Sequence, residues 1–201
     1  MSDTTVRWLD QVIEANKQFR ERLRPEKLPV QRTPGSVLVI TCMDPRVNTD
    51  AIGISPFTRE GEGHSSVRVI RTIGAVAEAR SLIIGMFLAG AREIAVMMHT
   101  DCGCCLAHER IDTIVQNMET RLPADRLERF KASIGEPFRE RLRNWLKTFE
   151  DPRDAVRREV DAIRALPYMP EDMAVHGLVY ELDSGRIDVV VNGYETAIRE
   201  A

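Results

Sequence analysis

Three short apolar runs constrain this chain more than any other feature: Ser36–Cys42 (SVLVITC), Val67–Arg71 (VRVIR) and Glu93–His99 (EIAVMMH). Each is rich in β-branched residues and too short to be a buried helix, so each reads as a strand. Between the second and third lies Ala75–Ala89, a helical stretch whose apolar face is built from Leu82, Ile83, Met86 and Phe87, with Gly90 as its C-terminal cap. Strands alternating with helical segments imply right-handed crossovers and a parallel sheet. Near the end, Val175–Leu182 and Ile187–Val191 flank the turn signal Asp183-Ser184-Gly185-Arg186. They read as an antiparallel hairpin at the sheet edge. The predicted fold is therefore α/β, a central mostly parallel sheet with flanking helices and an antiparallel edge hairpin.

The remaining segments fit around that sheet as one domain over residues 1–201. Residues 1–24 read as an amphipathic helical arm, with Val6, Leu9, Val12, Ile13 and Phe19 near helical spacing. Pro25 to Gly35 is a linker, and Asn48 or Thr49 can cap a short helix ending near Gly53. Gly53–Ser66 reads as a mobile connection, and Leu106–Met118 as a helix. Arg121–Leu166 is dense in charge and is broken at Gly135-Glu136-Pro137 and Asp151-Pro152. It reads as two or three solvated helices, a charged helical insertion over about 119–170. Trp145, Leu146 and Phe149 give it something to bury.

Charge and hydropathy narrow the partners. A net charge of -3 argues against a nucleic-acid surface. No apolar run approaches the ~20 residues that span a bilayer, so no membrane partner is expected. The N-terminus carries no secretory pattern, which points to a cytoplasmic, reducing setting. Three of the four cysteines, Cys102, Cys104 and Cys105, fall within four residues of one another, and Cys42 is distant. That clustering suits metal or redox chemistry better than a disulfide framework.

Cys42 ends the first strand, His99 ends the third, and Cys102 follows three residues later. The C-terminal ends of parallel strands share one edge, where ligand sites form. Two thiolates and an imidazole suit Zn²⁺ and leave a fourth position for water. Taken singly, Cys42 reads better as an inert buried residue and His99 as structural; their joint placement carries the metal reading. Asp44-Pro45-Arg46 follows two residues after Cys42. As an ordinary loop it would be a local ion pair. Beside a metal, Asp44 can orient the water or itself close the site, and Arg46 can decide between the two by bidentate pairing.

Cys42-Met43-Asp44-Pro45-Arg46 together with His99-Thr100-Asp101-Cys102-Gly103 resembles the two-part motif of the beta-class carbonic anhydrases, C-x-D-x-R and H-x-x-C-G. The resemblance implies Zn²⁺ held by Cys42, His99 and Cys102, with Asp44 and Arg46 as the catalytic pair. It also implies a parallel-centred α/β sheet in a homodimer or homotetramer. The implied reaction is the reversible hydration of carbon dioxide, a small-molecule substrate, to bicarbonate and a proton. Gly103, opening a helix beside a ligand, offers a backbone N–H to an anionic oxygen, or is simply a tight turn.

The chain also departs from the family pattern. Where relatives have R-N-A-G, it has Arg71-Thr72-Ile73-Gly74, and Ile73 is expected to face the zinc pocket and make it more apolar. That keeps open hydrolysis of carbonyl sulfide or carbon disulfide at the same site. A non-catalytic zinc protein, with Asp44 permanently on the metal, is the third reading. Cys104 and Cys105 read as buried small residues at a helix start, with a redox-sensitive thiol as the alternative. His64 lies in a Gly-rich loop where it can be solvated or pass protons to buffer.

Overall fold

The computed structural model describes residues 8–22, 37–52 and 67–197. The chain divides into two units, residues 1–32 and 33–201. The first contains helix α1 (Trp8–Arg22), within the predicted arm. The expected linker, the 53–66 connection and His64 lie outside the described residues.

The second unit is built on a five-stranded sheet of order β2-β1-β3-β4-β5. Its strands are β1 (Val37–Cys42), β2 (Val67–Thr72), β3 (Glu93–His99), β4 (Ala174–Tyr180) and β5 (Ile187–Val191). The first four are mutually parallel, and β5 runs antiparallel to β4. The predicted fold class and the edge hairpin are therefore present. β1 and β3 are almost wholly buried because neighbouring strands flank both, which is why their sequences are continuous apolar runs. The chain steps from β1 to β2 on one side, then crosses back over β1 to reach β3. The gap between β1 and β3 is thus the topological switch point, where open α/β sheets bind ligands.

Helices α2 (Ala79–Phe87) and α7 (Pro152–Arg164) pack into the same core. Leu82 and Met86 of α2, and Val156, Val160 and Ile163 of α7, join Leu38, Ile40, Ile94 and Val96 from the sheet. Gly85 lets α2 approach closely, since a Cβ there would sit 2.4 Å from a methyl of Leu38.

Several boundaries and faces correct the sequence reading. The expected Ala75–Ala89 helix begins only at Ala79. Before it lies a short 3₁₀ turn, Ile73–Ala75, in which Gly74 has φ +63°. Glu78 then caps α2 by accepting from the N–H groups of Arg80 and Ser81. On α2 only Leu82 and Met86 of the four expected apolar residues are buried; Ile83 is 41% exposed and Phe87 63% exposed. Gly85 takes the sheet-facing position, and this turns Ile83 and Phe87 outward. The predicted Leu106–Met118 helix is two helices, α3 (Gly103–Glu109) and α4 (Ile111–Arg121), broken at Arg110 with φ −107° and ψ 35°.

The charged stretch contains α5 (Ala124–Ile134), α6 (Phe138–Trp145) and α7. α4 to α6 form a small cluster of their own around Ile111, Val115, Phe138 and Leu142. Phe130 meets Phe138 and Trp145 edge to face at 6.1 and 5.8 Å. Trp145 nonetheless stays 63% exposed, whereas Phe149 is buried in the main core. α7 is not a solvated helix: its charges other than Glu159 occupy one face while Ala155, Val156, Val160 and Ile163 cover the sheet. A short α8 (Gly193–Ala197) follows β5. Among the described residues no helix is long and apolar enough to cross a membrane.

Candidate metal centre

Cys42 and His99 are the last residues of β1 and β3, so sheet pairing carries both to the switch-point edge. Cys102 caps α3 and closes the triangle. One sulfur or nitrogen from each of Cys42, His99 and Cys102 lies within 4.8 Å of the others, and all three side chains are buried. The two sulfurs are 3.9 Å apart. Two thiolates on a tetrahedral Zn²⁺ at Zn–S ~2.3 Å would stand roughly 3.8 Å apart, so the spacing fits.

The imidazole gives a second test of fit. His99 Nδ1 lies 2.8 Å from the carbonyl oxygen of Thr100. A carbonyl can only accept, so Nδ1 carries the hydrogen and the lone pair of the neutral ring sits on Nε2. That Nε2 is buried and has no hydrogen-bond partner. A buried acceptor facing two thiols and otherwise unsatisfied is an arrangement that a cation would satisfy.

Without a metal the thiols resist ionisation. Hydrogen bonding to Cys104 and burial push the Cys102 thiol up to about 12. Burial also raises Cys42. The N–H of Cys104 points at Cys102 Sγ, 3.5 Å away, as it would toward a thiolate.

Asp44 and Arg46 are linked as the sequence suggested. Asp44 accepts from the Arg46 backbone N–H at 2.9 Å, from Nε at 3.0 Å and from Nη2 at 2.7 Å. These bonds hold the Asp44 carboxyl far below the usual carboxylate range. Arg46 also reaches Asp101. The loop carrying the pair is fastened from below by Arg71, whose guanidinium donates to the carbonyls of Cys42 and Val47 at 3.0 and 3.1 Å.

Ile73 is 47% exposed in the single chain, on the 3₁₀ turn that follows β2. Gly103 is exposed at the first position of α3, and a Cβ there would meet nothing within 4 Å. Packing therefore does not require glycine at 103. Cys104 is buried, with its sulfur in the notch left by Gly74, which supports the packing reading of this thiol.

Sequence reasoning missed Arg71, Thr100, Asp101 and Glu159 as contributors. Buried Glu159 on α7 accepts from the Ala77 N–H at 2.7 Å and so anchors the turn before α2. None of these four has a spacing signal, because each acts through a contact made only in the fold. Arg71, Thr100 and Asp101 stood inside quoted motifs without being singled out, and Glu159 stood outside them.

A family model described as carbonic anhydrase matches residues 37–187. Beta-carbonic anhydrase 1 of Mycobacterium tuberculosis is 28% identical over 169 residues, covering 82% of this chain and 88% of that protein. A carbon disulfide hydrolase from Acidianus is 31% identical over 161 residues, 74% of each chain. The crystal structure of beta-carbonic anhydrase isoform I from Trichomonas vaginalis superimposes with a TM-score of 0.73 at 27% identity, covering 94% of this chain and all of that one. With the two-part motif, the superposition and the matched length in agreement, this chain belongs to the beta-carbonic anhydrase family.

Proposed function

We propose that the chain is a zinc-dependent carbonic anhydrase that interconverts carbon dioxide and water with bicarbonate and a proton. In this reading Cys42, His99 and Cys102 hold the zinc, and Asp44 and Arg46 are the catalytic pair. The observation that carries it is the buried, unpartnered His99 Nε2 facing two thiols, beside a carboxylate locked by an arginine. A bound zinc supplies Lewis acidity and lowers the pKa of water in its open position.

The chain's own groups do the rest. Asp44 is ionised at any working pH, so it can accept a hydrogen bond from the attacking water but cannot carry the proton away. Arg46 holds that carboxylate in the loop, which favours an open fourth position over the non-catalytic reading. The Gly103 N–H, free of any side chain, is available to an anionic product oxygen. Ile73 offers apolar surface to carbon dioxide. The released proton passes to solvent buffer.

The test is stopped-flow proton release from carbon dioxide by zinc-quantified protein, with Cys42→Ser and Asp44→Ala as controls. Hydration lost in both variants supports the reading. Fully loaded protein without hydration activity at about pH 8 to 9 overturns it. The carbon disulfide hydrolase relative supports a second reading, hydrolysis of carbon disulfide or carbonyl sulfide at the same site. Sulfide release measured beside hydration separates the two.

The reading includes a homodimer or homotetramer. In its support, α1 exposes Trp8, Leu9, Val12 and Ile13, and α2 exposes Ile83, Ile84, Phe87 and Leu88. It treats residues 1–201 as one catalytic domain with an N-terminal arm and a helical insertion. It also includes a reducing cytoplasm, in keeping with four free thiols.

A further inference from the structure

Thr100 sits between two candidate ligands and makes a separate bond with each of its three polar groups. Its carbonyl accepts from His99 Nδ1 at 2.8 Å. Its N–H donates to the Tyr180 carbonyl at 3.0 Å, continuing the β3–β4 pairing one residue past His99. Its hydroxyl accepts from the Leu182 N–H at 3.1 Å. The His99 ring is thus fastened, through one residue, to the β4–β5 turn.

That turn is itself stiff. The Glu181 N–H donates to the Arg186 carbonyl at 2.9 Å, and the Arg186 guanidinium donates to the Glu181 carboxylate at 2.6 Å. Arg153, at the start of α7, reaches both Glu181 and Asp188. Leu182 packs against the main core. On the other side Asp101, with φ +52°, turns the chain sharply toward Cys102. The peptide whose oxygen holds His99 is therefore gripped by the hairpin before the chain reverses.

We propose that Thr100 is a positioning residue for His99: its hydroxyl anchors to the β4–β5 turn the carbonyl that keeps hydrogen on Nδ1 and the lone pair of Nε2 aimed at Cys42 and Cys102. Partners of this kind fix the tautomer and orientation of a metal-binding imidazole, and their loss typically costs 10- to 100-fold in affinity. This role rests on the metal-site reading above. It goes further in assigning the side chain of Thr100, and the turn it binds, a part in metal affinity.

The experiment uses the full chain, with Thr100→Val to remove the hydroxyl while keeping the branched shape and Thr100→Ser to keep the hydroxyl. Zinc affinity is measured by competition with a chromophoric chelator, and cobalt(II) is titrated into each metal-free protein. The expected result is a zinc affinity about 10-fold weaker for Thr100→Val, the low end of that range because the carbonyl itself remains, and within about threefold of wild type for Thr100→Ser. The cobalt(II) d–d bands should change in Thr100→Val and superimpose on wild type in Thr100→Ser. Equal affinities and superimposable spectra for Thr100→Val and wild type overturn the proposal. Wild-type protein that binds neither metal instead overturns the metal-site reading itself, a separable failure.

A measurement that needs no variant stands behind these. Long-range ¹⁵N–¹H correlation of metal-free wild type, recorded at a pH where the ¹⁵N shifts themselves report a neutral ring, should show His99 protonated on Nδ1. An Nε2–H tautomer there overturns the proposal even if Thr100→Val does not fold.

Discussion

Arg46 is shared between two carboxylates: while it holds Asp44, its Nη1 donates to Asp101 Oδ2 at 2.6 Å and its Nη2 to the Asp101 main-chain oxygen at 2.9 Å. All three guanidinium nitrogens are engaged, and a point-charge ammonium cannot copy that fork. Arg46→Lys should therefore lower kcat/KM for hydration by about 10²-fold or more, with zinc content unchanged. Asp101→Asn keeps an acceptor and a residue tolerant of positive φ, and should cost less than about threefold. Stopped-flow kinetics on both variants checks the ordering; equal losses would contradict it.

Metal uptake should be steeply pH-dependent. Burial and contact with Cys104 hold the Cys42 and Cys102 thiols protonated at neutral pH in the metal-free chain, so loading must expel their protons. Affinity should rise with pH, with up to two protons released per metal from the thiols. Without metal the sign reverses for stability. The Cys102 thiol titrates near 12 when folded against 9.0 as reference, so the metal-free protein should lose stability as pH rises above about 9. Calorimetric titrations in buffers of different ionisation enthalpy count the protons, and chelator-treated samples unfolded in urea give the stability.

His176 should make the fold acid-sensitive from the opposite end of the sheet. Its Nδ1 accepts from the Gly193 N–H at 3.1 Å, and its ring packs edge to face on Tyr194 at 4.6 Å. Burial lowers its pKa below 6.5 despite Glu93 nearby. Between the unfolded and folded values the unfolded chain binds more protons, so stability is present above about pH 6.5 and falls as pH drops toward the folded value. His176→Gln should flatten that slope. Urea midpoints from pH 5 to 8 provide the check.

Gly74 meets two demands at once, a positive φ and the absence of a side chain. A Cβ there would lie 2.6 Å from Cys104 Sγ and 3.2 Å from Phe149. Gly74→Ala should cost about 2–4 kcal/mol through strain and overpacking. Adding Cys104→Ala should recover part of that loss by vacating the notch, giving a non-additive cycle. Denaturant unfolding of the four proteins measures it.

The outward face of α2 offers a test of assembly. Ile84→Glu and Phe87→Glu place charge at exposed positions and leave Leu82 and Met86 in the core. If that face joins copies of the chain, light scattering should show a smaller particle with the far-UV spectrum unchanged. An unaltered particle size would place the contact elsewhere.

How far the sequence could be read depended on whether one residue's surroundings were local. β3 was legible to the residue, because Glu93 and His99 bracket an unbroken apolar run. The meeting of Cys42, His99 and Cys102 was legible because strand ends and spacing mark them without reference to contacts. The start of α2 was not, since Gly74 and Ala75 adopt positive φ where propensity alone suggests helix. Neither was the break at Arg110, which carries no Gly or Pro. α7 looked solvated because charge counts hide a buried stripe when both lie on one helix. Thr100 and Arg71 make their contacts with partners 82 and 24–29 residues away, beyond the reach of local pattern.

Cys42 and Cys102 are separated by 60 residues and meet only across the β1–β3 gap. During synthesis no complete ligand set can exist until Cys102 has emerged and β3 has paired beside β1. On the proposed reading, metal acquisition therefore waits at least until the middle of the chain has been made. A stalled or truncated product ending before that point would carry Cys42 as an ordinary exposed thiol, open to oxidation. On the proposed reading a loaded centre reports that β1 and β3 have paired, while β4, β5 and α7 lie further along the chain.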